Sequence, residues 1–119
     1  SFQRKLNETE IRLESIQYTE FRLMAALAKG ESPGPESSVL KTLSADIQQQ
    51  LTELSVEAVA EFAAAHQPEA RTVETSTVSI GPDDGKMAFT QYFNLRASSI
   101  AGGTNEVQKN IIAKMVLGL

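Results

Sequence analysis

Apolar residues recur at helical spacing over most of this chain. Leu6, Leu13, Ile16, Phe21, Met24 and Leu27 predict one long helix over residues 3–29. Gly30 stands where a helix C-terminus wants a left-handed residue. At 1.5 Å per residue such a helix is about 40 Å long, and in a small domain it needs partners along its whole length. Glu8 and Arg12 stand four apart in the favourable order for an ion pair. Residues 30–36, Gly-Glu-Ser-Pro-Gly-Pro-Glu, are a stop and a restart, with Pro35 suited to the first position of a second helix over 35–65. In that helix Leu40, Leu43, Ile47, Leu51, Leu54, Ala58 and Phe62 form a seven-residue stripe. A stripe of that period predicts left-handed, near-antiparallel bundle packing. Lys41, Gln48, Gln49 and Glu53 lie off it and read as a solvated face.

Residues 67–86 break the helical pattern. Their middle, from Thr72 to Ile80, is β-branched and loosely alternating, but has no second strand to pair with. A mobile surface loop is expected over 67–86. A short helix over 86–98 carries Met87, Phe89, Tyr92, Phe93 and Leu95, whose rings are expected to plug the bundle end. A last helix over 104–117 carries Val107, Ile111, Ile112, Met115 and Val116, with Leu119 beyond it. That stripe is wider than one neighbour requires and points to burial in a larger assembly. The predicted fold is all-α: a four-helix up-down bundle of two long and two short helices in a single domain, 1–119.

Composition narrows the chemistry. A net charge of −4, with Lys and Arg scattered, argues against a nucleic-acid-binding face. There is no cysteine and only one histidine, His66, which excludes disulfides and cysteine- or histidine-rich metal sites. His66 itself reads as a surface residue at a helix end. No apolar run approaches the ~18 residues of a membrane span, and the N-terminus lacks the apolar core of a signal peptide. A cytoplasmic protein is expected. The chain lacks an initiator Met and opens mid-pattern in a helix, so a piece of something longer is also expected. Asn7-Glu8-Thr9 fits a glycosylation sequon but lies on a predicted helix without secretory context, and reads as chance.

The candidate chemistry is concentrated at Ile100-Ala101-Gly102-Gly103-Thr104-Asn105-Glu106-Val107-Gln108. Two glycines let the backbone turn sharply and let another group approach. Thr104 is a fitting N-cap. The first turn behind it offers unpaired N–H groups and partial positive charge, a seat for a phosphate or ribose. Arg96, just upstream, is a candidate phosphate partner.

Leu95-Arg96-Ala97-Ser98-Ser99-Ile100 followed by AGGTNEVQKNIIAKMVLGL resembles the C-terminus of flavin-dependent acyl-CoA dehydrogenases, and the Gly-Glu-Ser-Pro-Gly-Pro-Glu-Ser-Ser break between two long helices is similar to that family. The resemblance covers all but residues 67–86 and corresponds to about the last third of such an enzyme. It implies FAD as cofactor, an acyl-CoA substrate in the complete enzyme, a place in fatty acid β-oxidation, and assembly as a homo- or hetero-tetramer. It implies cofactor contacts, largely to the adenosine half of FAD, at Gly102, Gly103, Thr104, Glu106 and Gln108. The implied reaction is α,β-dehydrogenation of an acyl-CoA thioester, in which a carboxylate removes the α-proton and the β-hydrogen leaves as hydride to the flavin. In many members that base directly precedes the Gly-Thr of the turn; here the position is Gly102, so no catalytic residue is assigned and the isolated chain is expected to be inactive. A glycine-rich turn that in many members contacts the FAD pyrophosphate is replaced by Ala63-Ala64-Ala65. The rival readings are a structural, base-less subunit or helical interaction module of a mixed complex, and a free-standing phosphate- or CoA-binding bundle.

Overall fold

The computed structural model describes residues 1–72 and 76–119, and every described element is helical. Helix α1 spans Phe2–Ala28 and α2 spans Glu36–Val59. Helix α3 spans Ala88–Asn94 and α4 spans Asn105–Ile112. Short 3-10 turns at Ala60–Ala64, Glu69–Arg71, Asp83–Gly85 and Leu95–Ser99 link them.

Helix α1 starts where the Ser1 hydroxyl accepts from Arg4 N–H at 3.4 Å. It stops in a Schellman pair: Gly30 N–H reaches Leu27 O at 2.9 Å and Glu31 N–H reaches Ala26 O at 3.2 Å, with Gly30 at φ +82°. Across to α2, Lys5 meets Glu57 at 2.7 Å and Arg12 donates to Gln50 at 2.7 Å. Seven residues forward in α1 is seven back in α2, which is antiparallel register. The expected Glu8–Arg12 pair does not form. Arg12 is drawn across to α2, and Glu8 pairs instead with Arg4 at 3.6 Å.

Helix α2 is the axis of the molecule. Helix α1 packs on one side of it, and α3, the Leu95–Ser99 turn and α4 pack on the other. The buried core is small: Ala45, Ile47, Leu54, Ala63, Ala70 and Ala88, with Thr9, Ser38, Thr52 and Gln67 as buried polar residues. The predicted stripe of α2 is therefore only partly buried, with Leu43 and Leu51 37% and 39% exposed. A line of small residues, Ser38, Ala45 and Thr52, takes the second packing face. Small side chains let the 95–99 segment come close enough for the Ser98 hydroxyl to donate to Ala45 O at 3.5 Å. The face expected to be solvated is likewise covered in part. Gln49 donates to Arg96 O at 3.1 Å, Glu53 pairs with Arg96 at 2.8 Å and Lys41 reaches Ser99 O at 3.4 Å.

The second helix ends at Val59, short of the expected residue 65, because Ala60 turns the chain at φ +51°, ψ −131°. That conformation is costly for any residue with a Cβ, by about 1–3 kcal/mol. The glycine-like backbone thus falls at Ala60, just before the alanine run at 63–65. Ala60→Gly is expected to raise the unfolding free energy by about 1 kcal/mol, read as a higher midpoint in urea; a lowered midpoint would contradict the strain.

The connector is tied down on both sides. Gln67 clamps Ile80 with both ends of its amide, Oε1 accepting from Ile80 N–H at 2.8 Å and Nε2 donating to Ile80 O at 3.2 Å. One side chain thereby supplies the ladder partner that a second strand would have offered. Arg71 donates to the Thr90 hydroxyl on α3. The expectations of an extended middle and a mobile loop fall in part on residues 73–75, outside the described residues. Helix α4 is shorter than expected: beyond Ile112 the coil widens into a π-helical turn, Ala113–Leu117, closed by Gly118 at φ +67°.

Candidate functional site: the glycine turn at the start of α4

The turn is set by what precedes it. Arg96 extends from the Leu95–Ser99 turn and donates four hydrogen bonds. Its Nη1 pairs with Glu53 at 2.8 Å, its Nη2 donates to Gln49 O and the Thr52 hydroxyl at 2.8 Å each, and its Nε donates to Tyr92 O at 3.2 Å. The guanidinium also stacks 4.5 Å from the Tyr92 ring centre. Arg96 is therefore an internal staple, and the reading of it as a phosphate partner is corrected: four of its five N–H donors are already used inside the fold.

Ile100 and Ala101 N–H both reach Ala97 O, at 3.0 and 2.9 Å. Gly102 and Gly103 then reverse the chain at φ +70° and +92°. Thr104 caps α4 as its residue type predicts, its hydroxyl accepting from Val107 N–H at 3.3 Å. Gln108 folds back over the turn and donates from Nε2 to Gly102 O at 3.1 Å. A Cβ on Gly103 would lie 2.8 Å from that nitrogen, whereas one on Gly102 would meet nothing within 4 Å.

Among the described residues, the N–H groups of Gly102, Gly103 and Thr104 have no acceptor. Glu106 lies in the first turn of the helix with its carboxyl exposed. Its own backbone N–H, then the Thr104 hydroxyl, hold that carboxyl below its ordinary value of 4.5, with Lys109 and Lys41 adding to the effect. The turn thus combines three N–H donors that have no acceptor with one carboxylate that stays charged. Donors at a helix N-terminus suit oxygen acceptors, and a fixed carboxylate suits ribose hydroxyls.

Gly102, Gly103, Thr104, Glu106 and Gln108 are all brought to this one turn. The sequence pattern did not show what holds it against α2. Lys41 Nζ donates to Asn105 Oδ1 at 3.2 Å, and Asn105 Nδ2 reaches Asp46 at 3.5 Å. Sixty-four residues separate Lys41 from Asn105, so no local pattern joins them. His66 is exposed, and the described residues hold no cluster of acidic or histidine side chains that could hold a metal ion. No described helix is long and apolar enough to cross a membrane.

These features define an all-helical domain that presents a glycine turn and a helix N-terminus at its surface. A family model described as acyl-CoA dehydrogenase, C-terminal domain, matches residues 1–117. The chain belongs to that family. No curated protein and no solved structure matches it.

Proposed function

We propose that this chain works as the C-terminal domain of an FAD-dependent acyl-CoA dehydrogenase, where it contacts the adenosine half of the cofactor and forms part of a homo- or hetero-tetramer. The observation that carries the reading is the run of three unsatisfied N–H groups at Gly102–Thr104 beside an ionised Glu106. Glu106 repels phosphate and attracts hydroxyls, which favours the ribose over the pyrophosphate at this turn. FAD supplies the hydride acceptor for α,β-dehydrogenation of an acyl-CoA. Gly102, Gly103 and Thr104 present backbone donors, Glu106 accepts from sugar hydroxyls, and Gln108 shapes the turn.

The chain is not proposed to carry the base. Gly102 has no side chain, and Glu106 is tuned the wrong way. A carboxylate that removes an α-proton needs burial and a raised pKa, whereas Glu106 is exposed and held low. The same observation favours a second reading, a base-less subunit of a mixed complex.

Thr104→Ala in the complete enzyme tests the cofactor role. The lost cap alone costs about 1 kcal/mol of stability. Release of the Glu106 carboxylate, which the Thr104 hydroxyl holds, adds a weakening of flavin retention on the order of tenfold, about 1.4 kcal/mol, measured by released flavin fluorescence during dialysis. Flavin retention that stays unchanged while stability falls would leave the structural reading standing.

A further inference from the structure

We propose that Glu106 lets this turn tell two adenosine-bearing molecules apart, holding the ribose of FAD and turning away the phosphorylated ribose of coenzyme A. The inference rests on the cofactor role proposed above and deepens it. An acyl-CoA dehydrogenase meets both molecules. The adenosine ribose of FAD keeps its hydroxyls free, whereas that of coenzyme A carries a phosphate on its 3′-oxygen. The N–H groups of Gly102, Gly103 and Thr104, which have no acceptor among the described residues, suit hydroxyl and phosphate oxygens alike. Those donors cannot make the choice, so a side chain beside them must.

Glu106 is the charged residue nearest to those donors along the chain, exposed in the first turn of α4. Its own backbone N–H and then the Thr104 hydroxyl favour the charged form of its carboxyl. The cations nearby are committed or set back. Arg96 gives four hydrogen bonds to Glu53, Gln49, Thr52 and Tyr92. Lys41 is half-buried and gives its ammonium to Ser99 O at 3.4 Å and Asn105 Oδ1 at 3.2 Å. Asn105 in turn reaches a second carboxylate, Asp46, at 3.5 Å. Lys109 is exposed, but it stands one helical turn behind Glu106 and its field falls on that carboxylate.

A carboxylate accepts from a free ribose hydroxyl. A phosphate on the same oxygen removes that hydrogen and brings a charge of about −1.5 to −2 beside the carboxylate, so a hydrogen bond is exchanged for a repulsion. Nucleotide sites that take a phosphorylated ribose place a cation there, and those that take a free ribose place an acid. This turn is of the second kind. Size does not make the choice: a Cβ added at Gly102 would meet nothing within 4 Å, so at this residue the chain builds no wall against the bulkier phosphate. Discrimination is left to the charge of Glu106.

The test is FAD rebinding to the complete enzyme stripped of its flavin, followed by flavin fluorescence. Two competitors are compared, adenosine monophosphate and adenosine 3′,5′-bisphosphate, which differ by the 3′-phosphate alone. At low salt the bisphosphate is expected to compete about tenfold less well, and the gap is expected to narrow as salt is added. Glu106→Gln keeps the size and an acceptor oxygen but not the charge, and is expected to bring the two within about twofold. Glu106→Lys is expected to reverse their order, and circular dichroism checks that both variants stay helical. Equal competition in the parent enzyme overturns the proposal without any variant, as does a gap that survives undiminished in Glu106→Gln. If neither nucleotide competes with FAD, the cofactor reading falls and this inference with it; if both compete equally, only this inference falls.

Discussion

Arg96→Met is expected to lower the unfolding free energy by about 2–3 kcal/mol, the largest single loss outside the apolar core. The exposed ion pair with Glu53 contributes little of it, since such pairs are worth about 0–1 kcal/mol. The weight lies in the charged bonds to Gln49 O and the buried Thr52 hydroxyl, each at 2.8 Å. Those bonds cross the seam that joins the Leu95–Ser99 turn to α2. Methionine keeps the apolar stem and removes the donors. The Thr52 hydroxyl retains its own bond to Gln49 O at 2.7 Å, which keeps the cost from rising further. Urea unfolding gives the number, and Glu53→Gln is the control, expected to cost under about 1 kcal/mol. A loss in Arg96→Met no larger than that control would show that Arg96 is free for a ligand after all.

Gly103→Val is the second large effect, expected to be at least about 2 kcal/mol against the turn. Two causes add. The residue sits at φ +92°, which a β-branched side chain tolerates poorly, and its Cβ would press within 2.8 Å of Gln108 Nε2. Gln108 must then release Gly102 O, and the unpaired N–H groups of the turn lose their fixed spacing. Gly102→Ala separates the causes, since its Cβ would meet nothing within 4 Å and only the backbone term remains, about 1 kcal/mol. In the complete enzyme, flavin retention is expected to fall more than tenfold for Gly103→Val and much less for Gly102→Ala. Equal losses for the two would mean that the close approach of Gln108 plays no part in shaping the site.

The candidate turn was legible because its signals are local. Two glycines, a capping threonine and an acidic first turn lie within five residues, and each acts on its immediate neighbours. The two long helices were legible for the same reason, through an apolar period and a Pro-Gly-Pro break. The partners of those elements were not. Whether Leu51 or Thr52 of α2 is buried depends on what lies across from it, and the helical period supplies candidates on both faces.

Residue pattern alone determined that the chain is helical, where its first long helix starts and stops, where the second begins, and that a glycine turn opens the last one, because capping, backbone freedom and periodicity act over one or two turns. Tertiary structure alone decided that the small-residue line of α2 is a packing face, that Arg96 is held inside the fold, and that Lys41 and Asp46 hold the turn. Each of these depends on groups that lie far apart along the chain and meet only when α2 has been covered from both sides.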